Sequence, residues 1–338
     1  MLSQRLSRRD VLTTTAAAGA GLAIVSQASQ RAQAQPARRI IVDAQVHIWQ
    51  AHTPERPWPA DGIGQAHIPR PFSYYELIAR MDEAGVDRVV IVPPSWEGYR
   101  NEYAMEAAKK WPKRFAVMGR LRLDDPKSRE LLATWKEQPG MLGVRHTFNR
   151  LQTSWLTDGT ADWFWPAAEK AGLPVMFLTP GRSAELARVA ERYPQLTLIV
   201  DHMGVVGDVV KAGKLGDAID QTVSLAKYPN VSVKLSAAPN NSADVYPFRD
   251  FTPYIRRVFD AYGPQRCYWG TDITNGFDKA SYRQRITHFT DELPFLSEAD
   301  KDLIMGRAIL ARHEISDDRA SCWSNQPDQS APIAWARP

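Results

Sequence analysis

Short, nearly continuous apolar runs alternate along the chain with segments whose apolar positions recur every three or four residues. The runs fall at residues 40–49, 86–92, 115–121, 141–145, 175–178, 196–200, 231–235 and 267–269. The helically spaced segments fall at 73–85, 102–111, 128–136, 163–171, 184–192, 217–226, 253–262 and 282–289. Ser73-Tyr74-Tyr75-Glu76 reads as a capping box opening the first of them. Strands without polar alternation are buried on both faces, as in a parallel sheet covered by helices. Eight strand-then-helix units therefore predict an α/β fold of the (β/α)8 TIM-barrel class, with a further helix at 297–312. An open doubly wound sheet is the weaker reading, because no G-x-G-x-x-G follows the first strand.

Within the first strand, period-two alternation puts Asp43, Gln45, His47 and Trp49 on one face and Val42, Ala44, Val46 and Ile48 on the other. The loop after it, 50–72, is long, holds Trp58 and His67, and has the length of a lid. The amino terminus stands apart. Ser7-Arg8-Arg9-Asp10-Val11-Leu12 resembles a twin-arginine export motif, followed by a mild Ala/Gly/Thr-rich run and a small-x-small site at Ala32-Gln33-Ala34. The expected organisation is a signal peptide over 1–34, the barrel over 35–315 and a loose polar tail over 316–338. The protein is then passed to the twin-arginine export machinery, works in the periplasm, and has no membrane association in its mature form.

Composition adds little, at 44% hydrophobic and 24% charged. Charge changes the picture more. Four arginines against one aspartate lie in residues 1–34, so the net charge of +4 falls to about +1 without them. The pI of 9.0 is then no argument for nucleic acid, and no basic stripe with interleaved aromatics supports one. A small molecule is the expected partner. Cys267, in an apolar run, and Cys322, in a polar tail, read as unpaired.

Barrel enzymes place their chemistry at the carboxyl ends of the strands. There the chain offers Gln45 and His47, Arg120, Arg145 and His146, Asp201-His202, Lys234 and Ser236, and Thr271-Asp272. Asp43-x-Gln45-x-His47-x-Trp49, Gly143-Val144-Arg145, Asp201-His202-Met203-Gly204 and Trp269-Gly270-Thr271-Asp272 together resemble, in order and spacing, the motifs of the amidohydrolase-related family. That family comprises metal-dependent hydrolase-type barrels, including pyrone-dicarboxylate and sugar-acid lactonases, and also decarboxylases. The likeness runs over about 40–312.

Two departures matter. Gln45 stands where the resemblance implies the first histidine of a His-x-His pair, and the fifth strand carries no histidine. The set that remains, His47, His202 and Asp272, implies either of two chemistries. Without a tightly bound cofactor, Asp272 is the general base on water, and His47 and His202 polarise the carbonyl of a small cyclic ester or related carboxylic acid. Arg145 and Arg120 then hold a substrate carboxylate and Gln45 a substrate oxygen or the water. Alternatively, the same three side chains ligate zinc or manganese in a metal-dependent amidohydrolase or decarboxylase. A third reading is an inactive barrel kept as a binding protein. Lys234 and Arg120 read as satisfied barrel charges, His67, His146 and Trp58 as lid or rim residues, and Asp201, preceding His202, as facing away from the site.

Overall fold

The computed structural model describes residues 38–148, 150–236, 238–318 and 322–323. The expected leader over 1–34 lies outside them, as does most of the 316–338 tail.

Eight parallel strands form one sheet in sequential order: β1 Val42–Val46, β2 Arg88–Ile91, β3 Phe115–Gly119, β4 Met141–Thr147, β5 Val175–Leu178, β6 Leu198–Val200, β7 Val231–Lys234 and β8 Cys267–Tyr268. Two backbone bonds bring the last strand back to the first: Ala44 N donates to Trp269 O (3.1 Å) and Asp272 N to Gln45 O (2.8 Å). Gly270 permits that approach, since a Cβ there would lie 3.2 Å from the Gln45 nitrogen. Each strand is followed by a helix: α1 Tyr74–Ala84, α2 Glu102–Lys110, α3 Lys127–Ala133, α4 Phe164–Lys170, α5 Ser183–Arg192, α6 Leu215–Ser224, α7 Thr252–Tyr262 and α8 Tyr282–Thr290. This is the expected (β/α)8 TIM barrel.

Alternation along the strands sorts the apolar side chains into two layers. Val90, Val92, Ala116, Met118, Met176 and Ile199 fill the barrel interior, while Val89, Ile91, Val117 and Val175 pack outward against the helices. The amino-terminal mouth is closed by Ala308, Ile309, Leu310 and Trp323, which join the interior layer. Trp323 is only 2% exposed, and Arg88 donates to the carbonyls of Ser316 and Asp318. Within the described part of the tail Trp323 is thus packed, while Ser316, Asp317 and Asp318 are exposed.

The expected capping box at Ser73 forms only in half. Ser73 Oγ accepts from Glu76 N, but the Glu76 carboxylate turns to Arg70 and Arg80. No helix among the described residues is long and apolar enough to cross a membrane.

Candidate active site

The register of β1 slips between Asp43 and Val46, and this bulge decides what its polar residues do. Val42 and Ala44 point into the barrel, whereas Val46 and Ile48 pack outward, so the four do not share a face. Asp43 likewise parts from Gln45 and His47. Its buried carboxylate accepts from Gln45 N, Thr271 N and the Tyr282 hydroxyl, clasping β1 to the end of β8 and to α8. Trp49 packs outward too, bridging its backbone to Phe72. Gln45 and His47 alone are left to face the interior.

They join a buried lattice. Lys234 Nζ lies 2.7 Å from Asp201 Oδ1 and donates to Gln45 Oε1, while Arg145 Nε lies 3.0 Å from Asp201 Oδ2 and its guanidinium donates to Thr147 Oγ1. Burial raises the Asp201 pKa, but the Lys234 and Arg145 charges outweigh it and hold the carboxyl below its ordinary value. Asp201 therefore faces inward, contrary to the alternation argument. The reason lies after it: His202 (φ 53°) and Met203 (φ 56°) take left-handed conformations, and that turn aims His202 at the site as well.

Donor chemistry sets the orientation of the next two groups. An ammonium only donates, so Gln45 turns its oxygen to Lys234 and its amide nitrogen to His47 Nε2, 3.2 Å away. A carbonyl only accepts, so His47 Nδ1 donates to Val92 O at 2.6 Å. Both constraints give one tautomer, with the proton on Nδ1 and a lone pair on Nε2. Burial, then the charges of His67 and Arg145, hold the His47 pKa well below its ordinary value, so the ring is neutral.

Asp272 sits beyond β8 at φ 46°, a strained conformation for a side chain of this kind, held by its amide on Gln45 O. Its Oδ1 is 3.4 Å from His47 Nε2, its Oδ2 is 3.9 Å from His202 Nε2, and Asn275 donates to Oδ2 at 3.2 Å. Burial raises its pKa to about 7, against the lowering effects of Asn275 and of the Arg285 and Arg145 charges. His202 is backed by Ser236, with Nδ1 and Oγ 2.7 Å apart, and burial lowers its pKa to about 3.

These groups enclose a chamber of about 170 Å³ lined by His47, His202, Asp272, Arg145, Thr147 and Asn275 among others. It shares His67, Ser95 and Trp96 with a wider vestibule of about 1110 Å³. His67 from the long loop is more than a rim residue: its ring lies 4.6 Å from Trp96 and 5.4 Å from His47, and its Nδ1 lies 3.0 Å from Thr274 Oγ1. Arg120 and Trp58 line the vestibule only. His146 points outward between Phe148 and Phe164, away from both cavities. Asn275 and Thr147 had no distinguishing pattern in the sequence. Ser236 had one, as the second inward position after Lys234.

A tightly held divalent ion does not fit this set. The Gln45 amide nitrogen occupies the lone pair of His47 Nε2, and the Lys234 ammonium behind it puts a fixed positive charge beside the place of a further ligand.

A family model described as Amidohydrolase matches residues 42–309. An L-fucono-1,5-lactonase of Burkholderia ambifaria is 27% identical over 236 residues, covering 68% of this chain and 79% of that protein. A 4-sulfomuconolactone hydrolase of Hydrogenophaga intermedia is 27% identical over 221 residues, covering 61% and 66%. Among solved structures, an amidohydrolase from Burkholderia multivorans with bound zinc superposes with a TM-score of 0.69 at 20% identity, over 82% of this chain and all of that one. That likeness speaks for the fold.

Proposed function

The chain belongs to the amidohydrolase family, and from that membership we propose that it hydrolyses a small lactone without a tightly held metal. The observation that carries this reading is Asp272, buried, at a pKa of about 7, and set between two neutral histidines. The relatives named as hydrolases of lactones support the substrate class.

The chemistry follows from the protons. Asp272 takes a proton from water as the oxygen adds to the lactone carbonyl. His202 presents Nε2–H to the developing oxyanion when Ser236 donates to Nδ1. His47 cannot share that role, because its Nε2 carries a lone pair, already met by the Gln45 amide; it stands as a neutral ring 3.4 Å from Asp272. Ring opening breaks the C–O bond, and the leaving alkoxide recovers the proton from Asp272. Gln45 holds His47 in register, and Arg145, partly neutralised by Asp201, supplies field more than a carboxylate fork.

Chelator-stripped protein assayed on five- and six-membered lactones tests the reading by titrating the acid released. Ring opening that survives stripping is expected. Activity that vanishes and returns with zinc or manganese transfers the case to the metal-dependent hydrolase or decarboxylase, and ligand binding without turnover transfers it to the binding protein. The periplasmic location by twin-arginine export is likewise proposed, on Ser7-Arg8-Arg9-Asp10. Unchanged periplasmic yield after Arg8→Lys and Arg9→Lys together sinks it.

A further inference from the structure

The vestibule holds a cation that the reaction as derived does not use. Arg120 leaves the end of β3 with its backbone clamped by Asn101, which donates to Arg120 O at 2.9 Å and accepts from Arg120 N at 2.8 Å. Its side chain runs into the base of the vestibule and is 7% exposed. There, among the described residues, it meets only the Thr147 hydroxyl at 3.5 Å and the Tyr99 ring, 5.7 Å from its centroid. Nε has no hydrogen-bond partner, and among the described residues no carboxylate pairs with the guanidinium. Two acids of the same wall are engaged, Asp124 with Arg122 at 2.8 Å and Glu97 with Arg56 at 2.5 Å, while Asp61 lies exposed.

A buried guanidinium without an anion is costly, and its planar fork matches a carboxylate. Thr147 joins it to the reaction chamber, since the same hydroxyl accepts from Arg145 and Arg120. Trp96, Tyr99 and Trp155 offer flat apolar walls on the way out. The chamber's 170 Å³ is the size of one small ring, roughly five or six waters at ~30 Å³ each, so anything the ring carries extends into the vestibule.

We propose that Arg120 is the anchor of a second subsite, and that the substrate is a lactone whose ring occupies the chamber and whose carboxylate-bearing arm reaches Arg120. This rests on the lactonase reading and narrows it: neutral polyhydroxy lactones lack the group that completes the site.

The test uses three probes: (6-oxooxan-2-yl)acetate, its neutral primary amide, and the non-hydrolysable ether oxan-2-ylacetate. The intact protein is expected to bind the ether acid in calorimetry and to open the charged lactone in preference to the amide. Arg120→Met is expected to weaken the ether acid about 10- to 100-fold and to cut the kcat/KM preference for charge by the same factor. Equal affinity in the variant, or indifference of the intact protein to charge, overturns the proposal. Should Arg120→Met fail to fold, Arg120→Lys decides, with about tenfold weaker binding expected from loss of the fork and unchanged affinity overturning it. Arg120-dependent binding without ring opening upholds the subsite and removes the lactonase reading. Ring opening without charge preference does the reverse.

Discussion

Lys234 and Arg120 are both cations buried at the carboxyl end of one barrel, and their surroundings are opposite. Lys234 is wholly buried and answered by Asp201, Gln45 and the Ala44 carbonyl. Arg120, a few per cent exposed, is answered by one distant hydroxyl and a ring. A cation whose donors are all met by protein acts on the fold and on its neighbours' orientation. One whose donors are left open acts on something that arrives. Sequence alone made both look like satisfied barrel charges, with Arg120 also a candidate to hold a substrate carboxylate.

Breaking the answered region is expected to have the largest effects. Asp272→Asn removes the carboxylate that lies beside both histidines, and kcat is expected to fall about 10³-fold in the lactone assay. A loss under tenfold would remove Asp272 as the base. Lys234→Met strands the Asp201 carboxylate on Arg145 alone, and urea unfolding is expected to show about 3–5 kcal/mol lost. Arg120→Met strands no acid, so its unfolding free energy is expected to stay within about 1 kcal/mol of the parent. Equal losses at the two positions would erase the distinction between them.

The pH dependence sharpens the same contrast at smaller scale. Burial raises Asp272 to about 7, so the carboxyl is protonated and idle as a base below that pH. For the free enzyme kcat/KM is expected to rise about tenfold per pH unit up to about 7 and then level off. A rise centred near the ordinary carboxylate range would mean that the chamber is wetter than its burial implies.

The eight-unit architecture was legible because buried parallel strands and amphipathic helices differ in period, and strand ends locate barrel chemistry without further detail. What periodicity could not carry was direction. The bulge at Asp43–Val46 separates Asp43 from Gln45 and His47, and the left-handed turn at His202-Met203 lets Asp201 and His202 face the interior together. His67 comes from a loop with no period, so only packing against Trp96 reveals it. The tautomer of His47 lies further still from the sequence, since it depends on a carbonyl from β2's end, Val92, and on an ammonium from β7.

The smallest expected effect isolates that last kind of information. Ser236 touches His202 at 2.7 Å and belongs to the answered region, yet it contacts no reacting atom. In a neutral imidazole, Nε2 carries the proton only if Nδ1 accepts, and the Ser236 hydroxyl is the group placed to donate there. Ser236→Ala frees the tautomer, so part of the population turns a lone pair toward the oxyanion. The cost of one hydrogen bond, about 1 kcal/mol, corresponds to kcat lowered about fivefold, with KM little changed because the donor acts mainly in the transition state. Nitrogen-15 spectra of His202 are the deciding readout: a shift of the proton from Nε2 toward Nδ1 is expected in the variant. An unchanged tautomer with the same kcat loss would make Ser236 a packing residue and leave the donor role of His202 without its support.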